Sequence, residues 1–193
     1  MNIILLLLSC SKTNLLKEQQ LSAQTPQHKT SCRGVSLESY ETPEALIGFK
    51  DTANQKTLIE PKYTVGYTHT SSNNHVFVYA ASGTGWEFLD CHGTKLLAPF
   101  LYDNGPDPFV EGAARFTKDG KIGLYSETGN ILIEAIYDFV SPLKEGKVYA
   151  CIKCSPSPIS PSSEYTKFSG GQWGIVSKTG EVLSPFVEEQ SEK

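Results

Sequence analysis

Four cysteines, Cys32, Cys91, Cys151 and Cys154, are the side chains with the most reactive chemistry in the body of the chain. They allow three pairings, and the sequence does not select one. Cys151-Ile152-Lys153-Cys154 has the C-x-x-C spacing of dithiol redox sites. Such a site needs its first cysteine at a helix N-terminus in a βαβ frame. Here that cysteine ends an apolar strand and opens a Ser/Pro-rich stretch at 155–169. The expected fate is a structural disulfide, either Cys151 with Cys154 or one of them with Cys91, with Cys32 left free. A structural zinc site needs four ligands, and no second C-x-x-C occurs. His69 and His75 flank a polar loop and His92 follows Cys91 at a turn. Turn histidines are read as solvated, so neither a metal nor another cofactor is expected. The carboxylates are Glu87, Asp90, Asp103, Asp107, Glu111, Asp138 and Glu145. Paired acids could hydrolyse a glycoside, which keeps a hydrolase as an alternative. However, Asp103 with Asp138, and Glu111 with Glu145, recur in similar surroundings, and a repeated position fits a repeated turn better than a unique acid and base. No nucleophile elbow, zinc-protease motif, P-loop or dinucleotide fingerprint is present, so no catalytic residue is assigned.

The elements that must position these groups are short strands. With 16 Gly, 11 Pro and a single Met, the composition favours turns over long helices. Four segments align, starting at Ile47, Trp86, Ile122 and Trp173, which are 39, 36 and 51 residues apart. Each opens with alternate apolar residues (Ile47 and Phe49, Trp86 and Phe88, Ile122 and Leu124, Trp173 and Ile175), the mark of a half-buried strand. Seven residues on comes Asn54, Gly93, Gly129 or Gly180, residue types that accept a positive φ at a hairpin turn. A second apolar strand follows, and Pro61, Pro99 and Pro185 are read as ending it, with Ala135 in the third copy. Two units then share Tyr102-Asp103 through Glu111-Gly112 and Tyr137-Asp138 through Glu145-Gly146. Return strands follow at 113–116 and 148–152, and 76–79 takes this part in the first unit. One such unit cannot bury its apolar face alone, so neighbours must stack. The fold predicted is all-β: about four hairpin units in an open curled array, with a closed propeller-like or barrel-like ring as the alternative. If Trp173 lies in the core, deleting its side chain costs roughly 3–5 kcal/mol.

Trp-Gly followed by two apolar residues, a Gly at the turn, an apolar strand, Tyr-Asp and Pro-x-x-Glu-Gly together resemble the WG-containing (KWG) repeat of bacterial proteins. The resemblance covers residues 47–186. Its structural positions here are Trp86, Gly93, Ile122, Gly123, Gly129, Trp173, Gly174 and Gly180, with Gln172-Trp173-Gly174 and Thr179-Gly180 the best match. The Trp is replaced by Ile in units one and three, and Glu87 stands for the Gly in unit two. The resemblance implies an all-β array in a family largely without assigned biochemical activity, and brings no catalytic residues with it.

Residues 3–8 are unbroken apolar, far short of the ~20 needed to span a bilayer but suited to a signal h-region. Leu7-Leu8-Ser9-Cys10 looks like a bacterial lipobox. That resemblance implies cleavage before Cys10, its acylation, and, from Ser11, an outer-membrane address in a two-membrane bacterium. Residues 1–9 are thus read as a signal peptide, 10–42 as the lipidated cysteine and a flexible polar tether, 43–187 as the β domain and 188–193 as a tail. The formal net charge of −4 supplies no basic surplus for phosphate neutralisation, so nucleic acid is excluded as a partner. Tyr63, Tyr67, Tyr79, Tyr102, Tyr125, Tyr137, Tyr149 and Tyr165 recur along the array, as core packing or as recognition surface. The expected function is a membrane-anchored envelope module that binds protein, peptide or glycan. An envelope hydrolase and a purely structural envelope component are the alternatives.

Overall fold

The computed structural model describes residues 32–83, 85–159 and 166–189. The expected signal peptide, Cys10, the first part of the tether, Tyr165 and the last residues of the tail lie outside the described residues. Among those described there are 18 strands and no helix. Unit one is the meander β1 (Leu37–Glu41), β2 (Ile47–Asp51) and β3 (Thr57–Tyr63). Unit two is β4 (Val65–Thr70), β5 (Val76–Ser82), β6 (Gly85–Asp90) and β7 (Lys95–Pro99), followed by a small hairpin, β8 (Leu101–Tyr102) and β9 (Gly105–Pro106). Unit three is β10 (Ala113–Lys118), β11 (Lys121–Ser126) and β12 (Ile131–Tyr137). Unit four is β13 (Phe139–Val140), β14 (Lys147–Ile152), an inserted hairpin of β15 (Ser155–Pro158) and β16 (Thr166–Ser169), then β17 (Gln172–Ser177) and β18 (Val182–Glu188).

All four expected hairpins are present, and every strand pairing is antiparallel. Unit one forms a three-stranded sheet and unit four a four-stranded sheet, β13-β14-β17-β18. Units two and three share a seven-stranded sheet in the order β12-β11-β10-β7-β6-β5-β4. Among the described residues no sheet closes into a barrel, and the array is open.

Stacking keeps the units dry. One core lies between units one and two, with Phe49, Ile59 and Tyr63 against Val76, Val78, Ala80 and Leu89. A second lies between units two and three, with Phe77, Tyr79 and Phe88 against Ala114, Phe116 and Tyr125. A third lies between units three and four, with Ile122, Leu124, Ile133 and Tyr137 against Val140, Val148, Ala150 and Val176. Strand β5 is buried on both faces, which is why it reads as an unbroken apolar run. The second core also fixes the shape of its sheet. Strands β6 and β11 are three strand spacings apart, about 14 Å if the sheet were flat. The rings of Phe88 and Tyr125 are nevertheless 5.1 Å apart, so the sheet curls over this face.

The glycine after the Trp position owes its place to a bulge. Ile122 pairs with Tyr137 and Leu124 with Ile133, so three residues of β12 oppose Gly123 alone. The same excess faces Gly48, and a smaller one faces Gly174. A bulged strand bends toward its partner, and only a residue without Cβ leaves room for it. A Cβ on Gly123 would sit 2.5 Å from a Phe116 ring carbon and 2.8 Å from the Ala135 nitrogen. Gly123→Ala is therefore expected to cost about 2–3 kcal/mol, the upper part of the range of about 1–3 kcal/mol for overpacking a core. Gly105→Ala, where a Cβ meets nothing within 4 Å, should be close to neutral in the same urea titration. Equal stabilities of the two variants would refute the bulge account. The bulge corrects one expectation: Pro61 and Pro185 do not end their strands but lie inside β3 and β18, on the bulged stretch opposite the glycine. In unit two the glycine is unnecessary, because β7 turns away to pair with β10 at Pro99 and Phe116. Glu87 takes the place and pairs with Lys95 at 3.1 Å.

Gly93, Gly129 and Gly180 have φ of 82°, 78° and 87°. Their N–H groups donate to Asp90, Ser126 and Ser177 carbonyls, closing the hairpins as expected. In unit one the turn is a residue longer, so the positive φ (61°) falls on Gln55 and not on Asn54. Asn54 instead braces the turn, its Oδ1 accepting the Lys56 N–H at 2.9 Å. Trp86 and Trp173 are half-buried, whereas Ile122 is buried. A core-sized loss on truncating Trp173 is accordingly not expected.

The segment read as tether is folded from Cys32 onward. Cys32 is buried in the first core, Leu37 with it, and β1 pairs along the whole of β2. Its Leu37-Glu38-Ser39-Tyr40-Glu41 sequence turns only Leu37 fully inward, so its composition reads as polar. The Ser/Pro-rich stretch after Cys154 is likewise not plain loop: it carries the β15–β16 hairpin. Phe168 of this hairpin packs on Phe139 at 4.8 Å, and Phe139 on Trp173 at 5.7 Å, covering part of the outer face of unit four.

Candidate functional site

Asp107, Glu111 and Asp138, weighed as catalysts, are best described by what they hold. Asp107 and Arg115 form a buried pair, with Arg115 Nε and Nη2 donating to the two carboxylate oxygens at 2.8 Å each. The Arg115 backbone N–H donates to Asp107 as well, at 3.2 Å, and Nη1 donates to the Val140 carbonyl of unit four at 3.1 Å. The guanidinium lies 4.3 Å from the Phe100 ring centre. Arg115 was not among the candidates drawn from the sequence. Its signal was a lone cation inside the apolar strand Ala113-Ala114-Arg115-Phe116.

Glu111-Gly112 and Glu145-Gly146 are tight turns with positive φ at both residues, as a mirror-type hairpin turn requires. The turns also lock to each other. The Glu111 carboxylate accepts the Glu145 and Gly146 N–H groups at 2.7 and 2.8 Å. These amide bonds hold its carboxyl below the usual range, and Lys178 adds to the effect. Lys178 Nζ donates to the Glu111 carbonyl and its N–H to the Gly146 carbonyl, so two turns of unit four meet the link that precedes unit three here. What the repeated Glu-Gly pair shares is the turn; the carboxylate link from one turn to the other is made by Glu111.

Asp103 and Asp138 are not equivalent. Asp138 stands at the corner where β12 passes into β13; its carboxylate accepts Lys121 Nζ and, at 2.6 Å, the Lys153 N–H. Asp103 sits at the exposed tip of the β8–β9 hairpin with φ 48°.

The cysteines pair as Cys32–Cys91 and Cys151–Cys154. Cys32, expected free, is thus the partner of Cys91. Cys151–Cys154 is one of the two alternatives the sequence left open. Cys32, Cys91 and His92 bring their ligand atoms within 4.8 Å of one another. The two sulfurs are bonded to each other, however, and a metal is bound by thiolate. The group is a covalent staple.

The remaining cluster is aromatic and partly open. On one face of β4, β5 and β6, Tyr67 lies 5.4 Å from Tyr79 and 5.9 Å, edge-on, from Trp86. His69 stacks on Phe109 at 4.7 Å and meets Tyr79 edge-on. Behind them the Tyr79 and Tyr125 hydroxyls hydrogen-bond to each other. Burial pushes both phenols up, well beyond the usual tyrosine range. His69 is held below the usual imidazole range by burial, against the pull of Glu127; its Nε2 is enclosed, with no hydrogen-bond partner among the described residues. Tyr67 is 45% exposed, and Val65 beside it 46%. The tyrosines therefore divide. Tyr63, Tyr79, Tyr125 and Tyr137 are core, while Tyr67, Tyr102 and Tyr149 face outward. The core residues of this face fill the space between units two and three; Val65, Tyr67 and Trp86 carry the same face on past the cover of unit three.

Residues 122–154 match the family model of the WG containing repeat. They run from the Ile122 of unit three, through its hairpin and Glu145-Gly146 turn, to Cys154. No curated protein and no solved structure matches the chain.

Proposed function

We propose that this chain, a WG-repeat protein, is a lipid-anchored binding module of the bacterial envelope, at the outer membrane, and that its repeat stack exists to present the aromatic face of unit two. The observation that carries this reading is the half-open array of Val65, Tyr67 and Trp86 continuing a buried aromatic core. Rigid aromatics give a large contact area at low entropic cost, and Tyr and Trp dominate binding hot spots. The two disulfides fit an oxidising compartment. The acids Asp107, Glu111 and Asp138, being engaged in turns and ion pairs, favour a binder over a hydrolase.

The test has two arms. The full chain in detergent is applied to arrays of glycans and of peptides, beside Tyr67→Ala/Trp86→Ala. A reproducible ligand should lose roughly tenfold or more in affinity, as loss of a hot-spot pair implies. Identical profiles for the two proteins overturn the binding face. For the anchor, a fatty-acid analogue should label the wild type and not Cys10→Ala, and equal labelling removes it.

A further inference from the structure

Antiparallel sheets end in strands whose outer backbone groups invite another strand, and proteins guard them with charge, proline, bulges or short length. The outer strands here can be compared one by one. Strand β1 carries Glu38 and Glu41, and β3 carries Glu60, Pro61 and Lys62. Strand β12 carries Glu134 and a bulge, β13 is two residues long, and β18 carries Pro185 and Glu188. Strand β4 is Val-Gly-Tyr-Thr-His-Thr, six residues without Pro, Lys, Arg, Asp or Glu. It ends its sheet, hydrogen-bonded to β5 on one side. Val65, Tyr67, Thr68 and Thr70 are exposed. Phe49 supports the strand from beneath at Gly66, where a Cβ would come within 2.8 Å of its ring. The strand is thus supported on one face and, among the described residues, ends its sheet with no proline, lysine, arginine or carboxylate of its own to guard the edge.

The sequence around β4 also complements itself. A two-fold axis normal to the sheet, midway between Tyr67 and its copy, sets Thr64 against Thr70, Val65 against His69, Gly66 against Thr68, and Tyr67 against its own copy. Cross-strand partners in an antiparallel pair share a face, and this register keeps every pair matched in face. It opposes Thr to Thr and aromatic to aromatic, which are favourable cross-strand pairs, and sets no charge against a like charge. We infer that β4 is the dimerisation strand of this protein: two copies join β4 to β4 antiparallel, making one sheet of the two seven-stranded sheets. The contact is isologous and closes, so it gives a dimer and not a fibre. It also brings the two Tyr67–Trp86 faces side by side. The inference goes beyond the binding reading, since a monomer could equally present that face.

The experiment is sedimentation of the full chain in density-matched detergent over a range of concentrations. The wild type should reach the mass of two chains. Thr64→Lys/Thr70→Lys sets lysine against lysine twice and should raise the dissociation constant by roughly tenfold or more. Thr64→Lys/Thr70→Glu sets lysine against glutamate in the same register and should restore the dimer. Circular dichroism and urea midpoints close to wild type would show both variants folded, as expected for exposed positions. A single-chain mass at every concentration overturns the inference. So does a dimer that the double-lysine variant leaves intact.

Discussion

Arg115→Ala should destabilise the fold by about 3–5 kcal/mol, the cost of stranding one member of a buried ion pair. Arg115 is 5% exposed and Asp107 7%, so neither charge has water to fall back on. The loss is larger than one pair. Arg115 belongs to β10 of unit three, Asp107 to the link after unit two, and Val140, whose carbonyl takes Nη1, to unit four. One side chain thus ties three units. The comparison that isolates the charge is Arg115→Met with Asp107→Leu, which removes both ions and leaves apolar bulk. Buried pairs replaced in this way are often neutral or more stable. In urea titrations the single variant should lose a large part of the stability of the domain, while the double variant stays within about 1 kcal/mol of wild type or above it. An Arg115→Ala loss below about 1 kcal/mol would mean that Asp107 finds other partners, and the view of this pair as the joint of the stack would fall.

The hairpins were legible because two independent signals agree on them. Apolar residues alternate through Trp86 and Phe88 or Ile122 and Leu124, and a glycine returns at a fixed offset to turn the chain. The same letters misled where topology intervened. Tyr137-Asp138 is a corner because β12 leaves one sheet there and β13 begins the next. Tyr102-Asp103 has no such corner to turn, since β7 already pairs with β10, and the dipeptide falls in a hairpin tip. The glycine of the Trp-Gly pair was legible as a position but not as a cause. Its reason is a bulge in the partner strand, which becomes visible once Gly123 is set against Ile133 and Tyr137. The ion pair lies beyond any repeat logic, because Asp107 and Arg115 occur together in one link alone and the other units do not advertise it. The open aromatic face was half legible. The tyrosines were countable, but which ones stand outside depends on how far unit three reaches over unit two.

The staple between Cys32 and Cys91 illustrates the same limit and carries the second large effect. It joins the polar N-terminal segment to unit two across 59 residues, enclosing the whole of unit one. Closing a loop of that length in the unfolded chain contributes about 4 kcal/mol by chain entropy. Cys151–Cys154 spans 3 residues and by the same reckoning contributes about 2 kcal/mol or less. Cys32→Ala/Cys91→Ala should therefore cost about twice as much as Cys151→Ala/Cys154→Ala in equilibrium unfolding. Location sharpens the prediction. Each unit in a stack leans on its neighbours alone, and among the described residues unit one has a neighbour on one side only. Hydrogen exchange in the Cys32/Cys91 variant should rise first in β1, β2 and β3, with β10 to β12 keeping their protection. Uniform acceleration along the whole array would mean that the units do not act as a stack, and a loss no greater than that of the Cys151/Cys154 variant would mean that loop closure is not how this bridge works. If the chain is held through Cys10 as proposed, the bridge is also where the tether meets the fold. A pull from the membrane then reaches unit two directly and spares β1, which turns only Leu37 fully inward.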